Sequence, residues 1–227
     1  MPPKRPKKKT KPKRKRPVVA AAATKKNSRV KKSKLSIDDQ LKQTFEKYND
    51  EGMIDDDNLL TFLEDLQVEP DDLVLLVLFE QMECEAGNEI KWVEFERGMK
   101  KLHCTTVADI KNRLDGLRAT LALDDTFERI YKYAFKLNLQ DNKKILDKET
   151  AVALWELLLP EKFDLLSQWV TFVESQEDVK WISKDVFFQI HAFSKKFGKD
   201  LSTWQDDGAW PCVIDDFVEY AKNETKR

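Results

Sequence analysis

The sequence predicts an all-α body preceded by a disordered basic tail. Three observations lead there. From Ser36 onward apolar residues recur at helical spacings of three and four, no segment alternates with a period of two for long enough to be a secure strand, and the charge is partitioned. Residues 1–34 hold 16 Lys or Arg and no acid, which leaves 24 basic against 41 acidic residues beyond them. A tail of +16 is therefore joined to a body of −17. The 227 residues divide into a Lys/Arg-rich tail over 1–35 and one helical domain over 36–224.

The tail combines Lys, Arg, Pro, Ala and Ser, with apolar content confined to short runs such as Val18 to Ala23. Such a segment cannot bury enough surface to offset its ordering entropy. Lys7, Lys8, Lys9 and Lys11, then Lys13, Arg14, Lys15 and Arg16, resemble a signal for a nuclear import receptor, implying a nuclear protein with a cytoplasmic pool. The competing reading is a nucleic-acid-associated protein, since 16 positive charges attract any polyanion by counterion release. No aromatic residue in the tail can stack on a base, so no specific nucleic acid is expected.

Along the body the elements follow one another in a consistent grammar. Ser36 to Asp39 reads as a capping box ahead of Leu41, Phe45 and Tyr48, and Leu59, Phe62, Leu63 and Leu66 form a second stripe. Pro70 suits a first helical position, opening a helix from Leu73 through Met82 that is apolar on most sides and hence central. Trp92, Phe95, Met99 and Leu102 mark a fourth helix. Thr106 to Asp109 cap a fifth carrying Ile110, Leu114 and Leu117, and Phe127, Ile130, Tyr131 and Phe135 mark a sixth. Four more are expected over Ala151 to Leu159, Phe163 to Phe172, Val186 to Phe197 and Pro211 to Ala221.

Composition excludes several chemistries. The longest apolar run, Leu73 to Phe79, has seven residues against the roughly 20 that span a bilayer, so no membrane is expected. The six glycines stand alone and form no phosphate loop or dinucleotide fingerprint; no cofactor is implied. His103 and His191 are far apart, and no metal-binding motif joins them. Three widely spaced cysteines, Cys84, Cys104 and Cys212, suit a reducing compartment; Cys84 and Cys104 lack the His-plus-carboxylate arrangement of a catalytic thiol, except that His103 stands directly beside Cys104, and adjacent residues on a helix point apart. No residue is expected to be catalytic.

Successive helices are separated by short acidic loops with a branched apolar residue at their centre: Ile54, Ile90, Leu146 and Ile182. This resembles the EF-hand arrangement, in which that residue occupies loop position eight and pairs with the partner loop. A calcium-responsive adaptor is thus an alternative function. Its ligand positions one, three, five and twelve fall on Lys47, Asn49, Glu51 and Asn58 in the first loop, and on Glu83, Glu85, Gly87 and Glu94 in the second. The other two loops end on Thr150 and Val186. Three of the four lack the bidentate acid at position twelve, so intact calcium loops are not expected and the second is the one candidate.

The stretch Leu201 to Tyr220, LSTWQDDGAWPCVIDDFVEY, is the most specific signal. Together with Tyr131 to Phe135 and Ala153 to Leu158 it resembles the defective-in-cullin-neddylation family, whose potentiating-neddylation domain is built from EF-hand-like helix pairs. The resemblance runs from about Leu41 to Tyr220. It implies a scaffold-type co-ligase that promotes attachment of a ubiquitin-like modifier to cullins without catalysing it.

Two sites follow from that resemblance. The family holds the cullin C-terminal winged-helix region on an Asp-Ala-Asp patch, and the matching positions are Asp185, Ala209 and Asp215, expected to form one exposed surface. Without the family, Asp185 reads as an ordinary complement to a helix dipole and Asp215 as a solvated surface acid. The second site is an apolar pocket for the N-acetylated methionine of a neddylation conjugating enzyme. Its matching positions are Leu59, Leu75, Leu78, Met82, Ile90, Leu137, Leu154 and Leu157. Acetylation removes the charge that such a pocket would reject. Leucines at helical spacing serve equally well as plain core.

Overall fold

The computed structural model describes residues 35–139, 143–198, 200–205 and 208–224, and Leu35–Arg227 forms one compact unit. The import cluster from Lys7 to Arg16 lies outside the described residues. A first module runs α1 (Ile37–Glu46), β1 (Met53–Asp55), α2 (Asp56–Leu66), α3 (Val74–Met82), β2 (Glu89–Lys91) and α4 (Trp92–Lys101). The linking helix α5 (Val107–Thr120) leads to a second: α6 (Asp124–Leu137), β3 (Ile145–Asp147), α7 (Lys148–Leu158), α8 (Leu166–Ser175), β4 (Trp181–Ser183) and α9 (Lys184–Phe197). Helix α10 (Cys212–Glu224) follows and packs against α8 and α9.

Among the described residues the fold is all-α apart from four three-residue strands, which fall in the acidic loops and are too short for a period of two to show. β1 pairs antiparallel with β2, placing Ile54 opposite Ile90, and β3 pairs with β4, placing Leu146 opposite Ile182. All four central residues are buried. Each pair of helix-loop-helix units is thus closed at its loops in the EF-hand manner.

Helix starts follow local chemistry. Ser36 Oγ accepts from the Asp39 N–H, and Thr106 and Asp109 exchange reciprocal cap bonds at the head of α5. Asp147 and Ser183 cap α7 and α9 by accepting from the Thr150 and Val186 N–H groups. Pro70 does not open α3. That helix begins at Val74, whose N–H donates to Asp72 Oδ1 at 2.8 Å, and Pro70 sits in the turn ahead of it.

Seven of the nine residues of α3 are buried, and the helix packs against α4, α5 and α6. In the second module Tyr131 joins three helices. Its hydroxyl donates to the Phe187 carbonyl at 2.7 Å and accepts from Trp155 Nε1 at 2.9 Å, tying α6 to α9 and α7. Trp155 stacks on Phe187 and meets Trp169 edge-on. Further along, Trp210 packs edge-on against Phe193 and Phe197, which seats the connection into α10 on α9.

Candidate functional site

A cleft of about 700 Å³ opens between the modules. One wall is α2 and α3 with Leu59, Leu63, Leu75, Leu76 and Phe79; the other is the end of α6 and α7 with Leu137, Leu154 and Leu157. Gly87 and Asn88, just before β2, close one end, and Leu60, half exposed, stands at the rim. The loop bearing Gly87 is held against α6 because the Tyr133 hydroxyl donates to the Cys84 carbonyl at 2.9 Å. A lining of leucine and phenylalanine suits an uncharged apolar group.

Five of the eight positions matched to the pocket line this cleft: Leu59, Leu75, Leu137, Leu154 and Leu157. Leu78, Met82 and Ile90 do not, and each is 0% exposed. Met82 is pressed against Gly98 of α4, where an added Cβ would meet Met82 Cα at 2.8 Å. Ile90 is committed to the β1–β2 pair. These three belong to the core of the first module.

The cleft also has lining that sequence reasoning missed. Asp72 lies in it, and its carboxylate receives Arg118 Nη2 at 2.7 Å and Nε at 3.0 Å. Burial opposes ionisation of Asp72, but Arg118 and the Val74 N–H outweigh it and hold the carboxyl below its usual range. Asn138 turns its amide onto the Ala134 carbonyl at 2.9 Å. A polar residue at a helix end carries no pattern that would have flagged it, whereas Leu76 and Phe79 were legible as part of an apolar helix but not as facing a void.

The three positions matched to the cullin patch lie in the second module and in the connection and helix that follow it. Asp185 is exposed in the first turn of α9, behind the Ser183 cap. Ala209 is exposed immediately ahead of Trp210, and Asp215 lies in the first turn of α10. Asp215 is half-buried rather than fully solvated, with Oδ1 withdrawn from solvent. Trp210 docks on Phe193, eight residues and so about 12 Å along α9 from Asp185.

The calcium reading meets a specific obstacle at Glu94. Its Oε1 accepts from the Glu85 N–H at 2.9 Å and its Oε2 from the Lys91 N–H at 2.8 Å, so both oxygens a cation would share are engaged by backbone. Lys91 Nζ, 3.2 Å from Glu85 and 3.4 Å from Glu89, puts an ammonium among the loop acids. No group of three or more His, Cys, Asp or Glu among the described residues could hold a metal ion. Cys84 and Cys104 are buried, and burial pushes both thiols up, away from nucleophilic chemistry.

Two EF-hand-like helical modules with an apolar cleft between them define the class of this domain. Residues 109–220 match the family model described as cullin binding. Among curated relatives, the chain is 34% identical over 161 residues to DCN1-like protein 5 of Homo sapiens, covering 71% of this chain and 68% of that protein. It is 36% identical over 163 residues to human DCN1-like protein 4, covering 72% and 56%. To DCN1-like protein 4 of Drosophila melanogaster it is 35% identical over 166 residues, covering 73% and 66%. The chain belongs to the DCN1-like family.

Proposed function

We propose that this protein is a non-catalytic adaptor that promotes cullin neddylation. The cullin C-terminal winged-helix region binds the surface of Asp185, Ala209 and Asp215. The N-acetylated methionine of a neddylation conjugating enzyme enters the cleft between α3 and α7. Holding both partners on one domain raises the transfer rate by proximity and orientation, while the thioester chemistry stays on the partners. Residues 36–224 supply both surfaces, and the tail over 1–35 directs the chain to the nucleus through its import cluster.

One observation carries this reading. The segment matched to cullin binding, 109–220, contains all three patch positions at its end and also contributes Leu137, Leu154 and Leu157 to the cleft. The body's charge of −17 adds attraction for a basic partner. A reconstituted transfer assay, with cullin, charged conjugating enzyme and modifier, tests it. Adding the full chain should raise the rate of cullin modification at least tenfold, and an unchanged rate would refute the adaptor reading.

A further inference from the structure

We propose that Trp181 and Ile145 extend the cullin-binding surface across the β3–β4 pair, with Trp181 as its apolar anchor for the same cullin domain. The inference rests on the assignment of Asp185, Ala209 and Asp215 to the cullin and deepens it.

The two strand pairs of the molecule provide an internal comparison. In both, the central residues point inward. In β1–β2 the flanking positions are Met53, Asp55, Glu89 and Lys91, and Lys91 forms an ion pair with Glu89. In β3–β4 the matching positions are Ile145, Asp147, Trp181 and Ser183. Asp147 and Ser183 are committed to capping α7 and α9, which leaves Ile145 and Trp181 as the outward side chains, 36% and 47% exposed. Trp181 thus stands where the first pair carries Glu89, so the fold itself places no demand for an aromatic ring there.

Position and chemistry identify the occupant. Trp181 precedes Asp185 by four residues, which limits their Cα separation to about 14 Å: Trp181 opens β4, and Asp185 lies in the first turn of α9, which follows it directly. The apolar pair falls within the cullin-binding match at 109–220, whereas the charged pair falls outside it. The Trp181 ring receives the Lys143 ammonium 4.6 Å from its centre, so a lysine or arginine of the partner would compete with Lys143 for it. Exposed Glu177 and Asp178 lie just ahead of it in the chain. Exposed Lys180 and Lys184 also flank it, so the ring stands among charges of both signs, and an exposed tryptophan in a polar surround has the composition of an interface hot spot.

The test uses the full chain and calorimetric titration with the cullin C-terminal domain. Trp181→Glu, which installs the residue type found at position 89, and Ile145→Thr should each melt like the parent protein. The first should weaken cullin binding at least tenfold and the second at least threefold. If both titrate within twofold of the parent while the Asp185→Ala, Ala209→Arg, Asp215→Ala protein loses the cullin, the extension is overturned and the patch stands. If all three bind like the parent, both assignments fall. A loss of affinity that tracks a lowered melting temperature in both strand variants would assign the ring to the fold and overturn the proposal.

Discussion

Gly98 of α4 lies directly against Met82 of α3: a Cβ added to Gly98 would stand 2.2 Å from Met82 Cγ and 2.8 Å from its Cα. The methionine side chain alone could swing aside, but the clash with its backbone carbon cannot be relieved without moving a helix. Gly98→Ala should therefore cost about 2 kcal/mol despite the better helix propensity of alanine, read from urea unfolding. Because α3 forms one wall of the cleft, the same variant should bind an acetyl-methionine peptide more weakly.

Glu94 ties the ends of the second acidic loop by accepting from the Glu85 and Lys91 N–H groups. Glu94→Ala should destabilise the fold by about 2 kcal/mol or more, since two amides lose a charged acceptor. Calcium titration of the parent protein should release no binding heat and leave the melting temperature unchanged. A calcium-dependent rise of several degrees would show that the cation can displace those amides.

His191 stacks on Tyr131 with ring centroids 4.9 Å apart and meets Phe127 at a tilt, with centroids 5.4 Å apart. Burial depresses its pKa below the ordinary 6.5, outweighing the pull of Glu128. The unfolded chain then binds a proton at a higher pH than the folded one. Stability from this group is full above 6.5 and is lost as pH falls from 6.5 through the lowered folded value. Melting temperatures measured from about pH 7.5 to 5 should fall across that window, and His191→Phe should flatten the fall.

The cleft makes a prediction about acetylation. A peptide beginning with acetyl-methionine should bind at least tenfold more tightly than the same peptide with a free amine, about 1.4 kcal/mol, because the amine must be desolvated among leucines. Leu60→Asp at the exposed rim should weaken the acetylated peptide while changing stability by no more than about 0.5 kcal/mol. Equal affinity for the two peptides would show that the cleft is not the acetyl-methionine site.

Much of this architecture was legible in the sequence, and the exceptions have physical causes. Thr106 and Asp109 announced α5 because a capping box is a local signal, and Ile54, Ile90, Leu146 and Ile182 marked the loop pairs because each is a branched apolar residue at the centre of a short charged loop. Pro70 misplaced the start of α3 because Asp72 offers a competing cap two residues later. In α3 the apolar residues surround the helix, so periodicity could not tell Leu75 and Leu76, which face the cleft, from Leu78 and Met82, which face α4 and the core. Asp72 and Asn138 escaped notice because their roles arise from interactions made only on folding. The outward position of Trp181 depends on strand register, which three residues cannot display.

The central claim is that Asp185, Ala209 and Asp215 hold the cullin. Replacing the acids with alanine removes attraction, and Ala209→Arg adds bulk and a repelling charge. Titration of the cullin C-terminal domain into the triple variant, with a melting curve and acetyl-methionine peptide binding as controls, measures this directly. The expected result is a folded protein that keeps the peptide and loses the cullin at least a hundredfold. Cullin affinity equal to that of the parent protein would contradict the claim.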